Sequence, residues 1–110
     1  MSSIDFTKLD KTLHEKGRLS IMTLLASRQT WSFHDLKSEL AMSDGNLISH
    51  LRSLESAGHL AATKHPEKRK TTYRLTPSGR NAFSHYLGVL EQIIAAANHN
   101  KTNNTNTTSP

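Results

Sequence analysis

Leu47, Leu51 and Leu54 recur at spacings of four and three, with Ile48 beside them, so one apolar stripe runs along a helix over residues 43–57. Ser43 suits the cap of that helix, since its hydroxyl can accept a bond from a free first-turn N–H. Met42 before the cap and Leu47 beyond it form a hydrophobic staple. Gly58 follows where a left-handed residue is wanted. The flank away from the leucines holds Gly45, Ser49, Arg52 and Ser56, bordered by Asn46 and Ser53. It is short, polar and nearly neutral, whereas a solvent face is usually richer in Lys and Glu. Two readings fit: a surface built to approach and hydrogen-bond to a partner, or the outer face of an ordinary bundle helix.

Upstream, Phe6, Leu9 and Leu13 predict a weak amphipathic helix over 4–16 that ends at Gly17. Residues 18–27 are apolar on most sides, as in a central helix touched by several neighbours. A polar link over 28–30 leads to Trp31, which begins a short strand or staples the next helix. Ser32 caps that helix over 32–41, and Asp35 reaches back to the cap in a variant capping box. Phe33, Leu36 and Leu40 form its inward stripe. The turn to Ser43 is about three residues, the connection of a helix-turn-helix.

Downstream, residues 60–64 and 71–75 read as two strands, with Thr71, Tyr73 and Leu75 on one face and Thr72 and Arg74 on the other. Between them Pro66 and the run Lys68-Arg69-Lys70 make a cationic turn. Thr76 and Pro77 start a last helix. Along it Phe83, Leu87, Leu90, Ile94 and Ala97 repeat as a heptad seam over about two heptads, widened by Tyr86 and Ile93. The seam packs on a second copy of the chain, or back onto Phe6, Leu9 and Leu13, or both. Residues 98–110 are polar and of low complexity and are expected to be disordered. Their triplets at Asn100, Asn103 and Asn106 are read as composition rather than glycosylation sites.

The fold class expected is mainly α (α+β): a winged helix-turn-helix with a two-stranded wing and a long C-terminal dimerisation helix. It occupies residues 1–97, and 98–110 form the tail. A length of 110 residues suits one domain with a modest core. There is no apolar run long enough to span a membrane, and the N-terminus lacks the pattern of a secretory signal. Cysteine is absent, which removes disulfides and thiolate metal sites. A cytoplasmic protein is expected.

Charge sharpens the picture. Residues 1–59 carry seven cations and seven acids, whereas 60–80 carry six cations against Glu67 alone, a net of +5. The whole excess therefore sits on the hairpin and the start of the last helix, the footprint of a polyanion partner. A solvated charged loop is the plainer explanation. Seven histidines raise the question of metal sensing, but none pair at i, i+4 on one helix, and no metal site is assigned. No phosphate loop, HExxH pair or G-x-S-x-G elbow is present, so no enzyme and no cofactor are expected.

Three segments carry a family likeness: HEKGRLSIMTLLA (14–26), FHDLKSELAMSDGNLISHLRSLESAGHL (33–60) and YRLTPSGRNAF (73–83). With them the chain resembles compact MarR/ArsR-like winged-helix transcriptional regulators over roughly residues 9–95. One departure is Lys16-Gly17, where that family more often has a proline ahead of the arginine. The resemblance implies a homodimer bound to double-stranded operator DNA, mostly as a repressor. With the helical wheel, it implies base reading by Asn46, Ser49, His50 and Arg52, and a phosphate at Ser43. His50 lies partly toward the core side, so a buried hydrogen-bonding role stays open for it. Lys64, Lys68, Arg69, Lys70 and Arg74 would line the wing, on phosphates or in the minor groove. The dimer interface would use Phe83, Leu87, Leu90, Ile94 and Ala97. A winged helix serving protein interaction or non-specific nucleic-acid or RNA binding is the alternative. No effector is identified.

Overall fold

The computed structural model of the chain describes residues 4–108, and side chains over residues 4–99. Helix α1 (Lys11–His14) is a single turn, followed by α2 (Lys16–Ser27), strand β1 (Trp31–Ser32), α3 (Phe33–Leu40), α4 (Asp44–Ser56), β2 (Leu60–His65), β3 (Lys70–Leu75) and α5 (Pro77–Thr108). The sheet is antiparallel in the order β1-β3-β2. No helix among the described residues is long and apolar enough to cross a membrane.

The core forms where the helical stripes meet the sheet. Ile21, Met22 and Leu25 of α2, Leu36 of α3, and Leu47, Leu51 and Leu54 of α4 are buried together with Trp31, Leu60, Leu75, Phe83 and Tyr86. Each fully buried leucine contributes about 1.5–3 kcal/mol. The expected helix over 4–16 is instead broken in two: a turn at Phe6–Lys8 and then α1. Asp5 and Asp10 each cap a short segment by accepting first-turn amides, which halts one turn and starts the next. Of the predicted stripe only Leu13 is fully buried, and Phe6 is exposed.

Three junctions explain the rest. Glu15 caps α2 by accepting the Arg18 amide at 2.8 Å, so the helix begins at Lys16 and Gly17 lies inside it rather than ending its predecessor. Ala41 takes a left-handed conformation between α3 and α4. After α4, Gly58 (φ 81) is left-handed, and the amides of Gly58 and His59 bond to the carbonyls of Glu55 and Leu54. That is the paired closure of a Schellman motif.

The capping box is only half made. Ser32 accepts the Asp35 amide at 3.0 Å, but the Asp35 carboxylate is engaged by Arg28 at 3.2 Å. Arg28 also lies over the Trp31 ring, 3.5 Å from its centre. Trp31 is a strand residue paired with Tyr73, and its indole N–H donates to the Leu24 carbonyl. The wing is therefore backed by a third strand.

Helix α5 passes beyond its apolar repeat to Thr108, through most of the segment 98–110 expected to be disordered. Extending a helix that is already nucleated fixes few new torsions per hydrogen bond, so polar residues can follow an anchored one. Residues 109–110 and the side chains of the three Asn triplets lie outside those described. The predicted seam divides. Phe83 is buried and Leu90 half-buried against the chain's own core, whereas Leu87, Ile94 and Ala97 are exposed. Tyr86 is almost fully buried, and its hydroxyl meets His14 Nδ1 at 2.7 Å. Burial pushes the Tyr86 phenol above its ordinary pKa.

Candidate nucleic-acid interface

Helix α4 is anchored from inside by its three leucines and capped by Ser43, whose hydroxyl accepts the Asn46 amide at 3.2 Å. That hydroxyl still has a proton to donate. Asn46, Ser49 and Arg52 are exposed, as are Gly45 and Ser56, so the short polar flank is not covered by the chain's own residues. A Cβ built on Gly45 meets nothing within 4 Å. The internal packing thus gives no reason for glycine there, although glycine within a helix costs about 1 kcal/mol relative to alanine. Asp44, the acid of the first turn, is paired with Lys37 of α3 at 2.8 Å. The pair is exposed and adds little stability, but it offsets the negative charge at the start of α4.

His50 does not join the outward set. Its side chain is 20% exposed, and its Nδ1 lies 3.6 Å from the Glu15 carboxylate. A Cβ on Gly17 would stand 2.5 Å from His50 Nε2. The ring therefore fills the space beside Gly17. The amide of Arg18 and, to a lesser degree, the charge of His50 hold the Glu15 carboxyl below its ordinary pKa, against an opposing effect of burial. Ile48 departs in the other direction: expected in the inner stripe, it is 37% exposed.

The hairpin is one residue longer on each strand than expected. Its register pairs Lys64 with Thr71 and Ala61 with Arg74. Lys64 therefore shares the face of Thr71, Tyr73 and Leu75, while Arg74 stands on the opposite face and donates to the Thr63 hydroxyl at 3.0 Å. Lys68 and Arg69 occupy the tip, a turn at Pro66–Lys68 closed by Arg69 in a left-handed conformation (φ 48). All five wing cations are exposed, but they do not line a single face. Burial, with Glu55 nearby, raises the pKa of Tyr73 at the wing's base.

Two features were not singled out from the sequence. A cleft of about 430 Å³ joins Ser32, His34 and Asp35 at the start of α3 to Arg69 and Lys70 of the wing. Strand pairing across the sheet creates it, so local patterns carry no signal for it. A second hollow, about 570 Å³, lies among Phe6, Leu9, Lys11, His14 and Arg18. The histidines are dispersed: His14 meets Tyr86, His50 faces Glu15, His59 faces Asp10 and His65 meets Thr72. No group of three or more metal-ligating side chains occurs among the described residues.

The chain belongs to the winged-helix DNA-binding domain family, whose model matches residues 18–94. It is 36% identical over 85 residues to an uncharacterised protein of Methanocaldococcus jannaschii, covering 76% of this chain and 92% of that one. A transcriptional regulator homologue from Pyrococcus horikoshii superposes with a TM-score of 0.78 at 28% identity, over 84% of this chain and 94% of that one. The YusO protein of Bacillus subtilis shares the fold, with a TM-score of 0.73 at 16% identity over 83% of this chain and 65% of that one. A DNA-binding transcriptional regulator is the class these likenesses define.

Proposed function

We propose that the protein is a sequence-specific, dimeric DNA-binding repressor of the cytoplasm, with no catalytic activity. Helix α4 enters the major groove, and the wing lies on the backbone or in the minor groove. The observation that carries this reading is the uncovered flank of α4, where Asn46, Ser49 and Arg52 are exposed while the leucines opposite hold the helix rigid. Asn pairs favourably with adenine and Arg with guanine, at about 1–3 kcal/mol of discrimination for each good pairing. Ser43 and the first-turn amides receive a phosphate.

Lys64, Lys68, Arg69, Lys70 and Arg74 supply affinity without sequence information, because phosphates are the same at every base pair. Their spread over both hairpin faces and the tip suits a wing flanked by backbone on either side. The exposed apolar residues of α5, Leu87 and Ile94, support a second copy against that helix. Two copies would read half-sites about one helical turn apart, roughly 34 Å. Occupying that length excludes other proteins from it, which is repression by occlusion.

The test is selection from a random duplex pool with the full chain, followed by gel shifts in rising salt with random DNA as competitor. Enrichment of a near-palindrome that survives competition is expected. Retention of all duplexes alike would mean a non-specific role. No retention would leave a winged helix that serves a protein or RNA partner.

A further inference from the structure

We propose that Ile48 and the bare backbone at Gly45 form a notch on α4 that reads the 5-methyl group of thymine; this rests on the DNA-binding reading above. Among the described residues, the large exposed apolar ones are Phe6, Ile48, Leu87 and Ile94. Three of them lie on the N-terminal turn or on α5. Ile48 alone stands on α4, on the border between the leucine stripe and the outward polar flank. A single exposed isoleucine is ordinary on a protein surface; its neighbour is what distinguishes this one. Gly45 is three residues earlier, adjacent on the helix surface. Its backbone is helical, and an added Cβ would meet open space. The fold thus gains nothing from glycine at 45, and the first turn beside Ile48 is left low for something outside the chain.

The surroundings define what fits. Arg52, four residues after Ile48, is exposed, and Asp44, four before it, is engaged by Lys37. The notch is therefore a small apolar patch in a polar, charge-compensated surface. In the major groove the base edges are donors and acceptors, with the thymine methyl as the one apolar group among them. An isoleucine desolvated against that methyl gains, whereas against a cytosine amino group it leaves a polar atom unpaired.

The experiment uses a tight-binding duplex selected by the full chain, remade with each thymine replaced singly by uracil, which removes only the methyl. Fluorescence anisotropy should show a loss of about fourfold at one or two positions per half-site, the worth of one buried methyl-sized group. Ile48→Ala should bind thymine and uracil duplexes equally. Ile48→Thr, which keeps the branch, supplies a second variant if alanine perturbs folding. Gly45→Ala should raise the thermal midpoint yet weaken binding to the thymine duplex, a pairing of effects that a merely structural glycine does not give. Equal affinity of the unaltered protein for thymine and uracil duplexes overturns the methyl contact, and unchanged binding by Gly45→Ala overturns the notch. If no duplex is retained in the selection, the DNA-binding reading falls first and this one with it.

Discussion

Gly79 packs against the carbonyl of His59 so closely that a Cβ on it would stand 1.8 Å from that oxygen. The same carbonyl accepts the Thr76 amide at 3.1 Å, the Thr76 hydroxyl donates to the Gly58 carbonyl, and the Gly79 amide donates to that hydroxyl. The end of α4, the first residues of the wing and the start of α5 are thus joined at one point, and the joint admits no side chain. Gly79→Ala is expected to cost about 3 kcal/mol, the upper end for overpacking, because a backbone atom cannot swing aside. Gly45→Ala should gain about 0.5–1 kcal/mol. Urea unfolding of the two variants checks the contrast, and similar midpoints would refute it.

Glu15 links the cap of α2 to the ring of His50. Its depressed pKa means that the folded state holds the carboxylate better than the unfolded chain does. That stability is present above the ordinary value of 4.5 and is lost as pH falls through the lower folded value. Glu15→Gln should lower the thermal midpoint near neutral pH, by an amount equivalent to about 0.3–1 kcal/mol. The difference from the unaltered protein should shrink toward zero in acid. A gap that stays constant across the acid range would show that the charge of Glu15 is not involved.

Arg69 combines a wing cation with a left-handed backbone, which costs a non-glycine residue about 1–2 kcal/mol. Arg69→Gly should therefore leave stability unchanged or raised, while weakening binding to selected and random duplexes alike. If Arg69 meets one phosphate, the salt slope should fall by about 0.9. Arg52→Ala should instead cost about 1–3 kcal/mol on the selected duplex and little on random DNA. Titrations of both variants on both duplexes at several salt concentrations separate these roles.

Along α5, Phe83 and Leu87 belong to the same heptad repeat but face different surroundings. Phe83→Ala should destabilise the fold by about 3–5 kcal/mol. On the proposed dimer, Leu87→Glu with Ile94→Glu should leave the fold intact and give a monomer in sedimentation, where the unaltered protein gives a dimer. A double variant that is still dimeric would move the contact off this face, and an unaltered protein that sediments as a monomer would refute the dimer.

The sequence by itself determined what nearest neighbours along the chain decide. The caps at Ser32, Ser43 and Thr76 bond within three residues, Gly58 supplies its own left-handed turn, and the leucine spacing of α4 needs only helical geometry. The helix-turn-helix, the wing and its charge were legible for that reason. The tertiary structure alone decided the long-range pairings. It set Trp31 beside Tyr73 to add a third strand, turned His50 inward onto Gly17, left Ile48 outside, and split the α5 seam between the core and open surface. Periodicity gives a residue's angle on its own helix. Which neighbour fills that angle depends on elements far along the chain, and whether it is filled at all is a matter of packing in three dimensions.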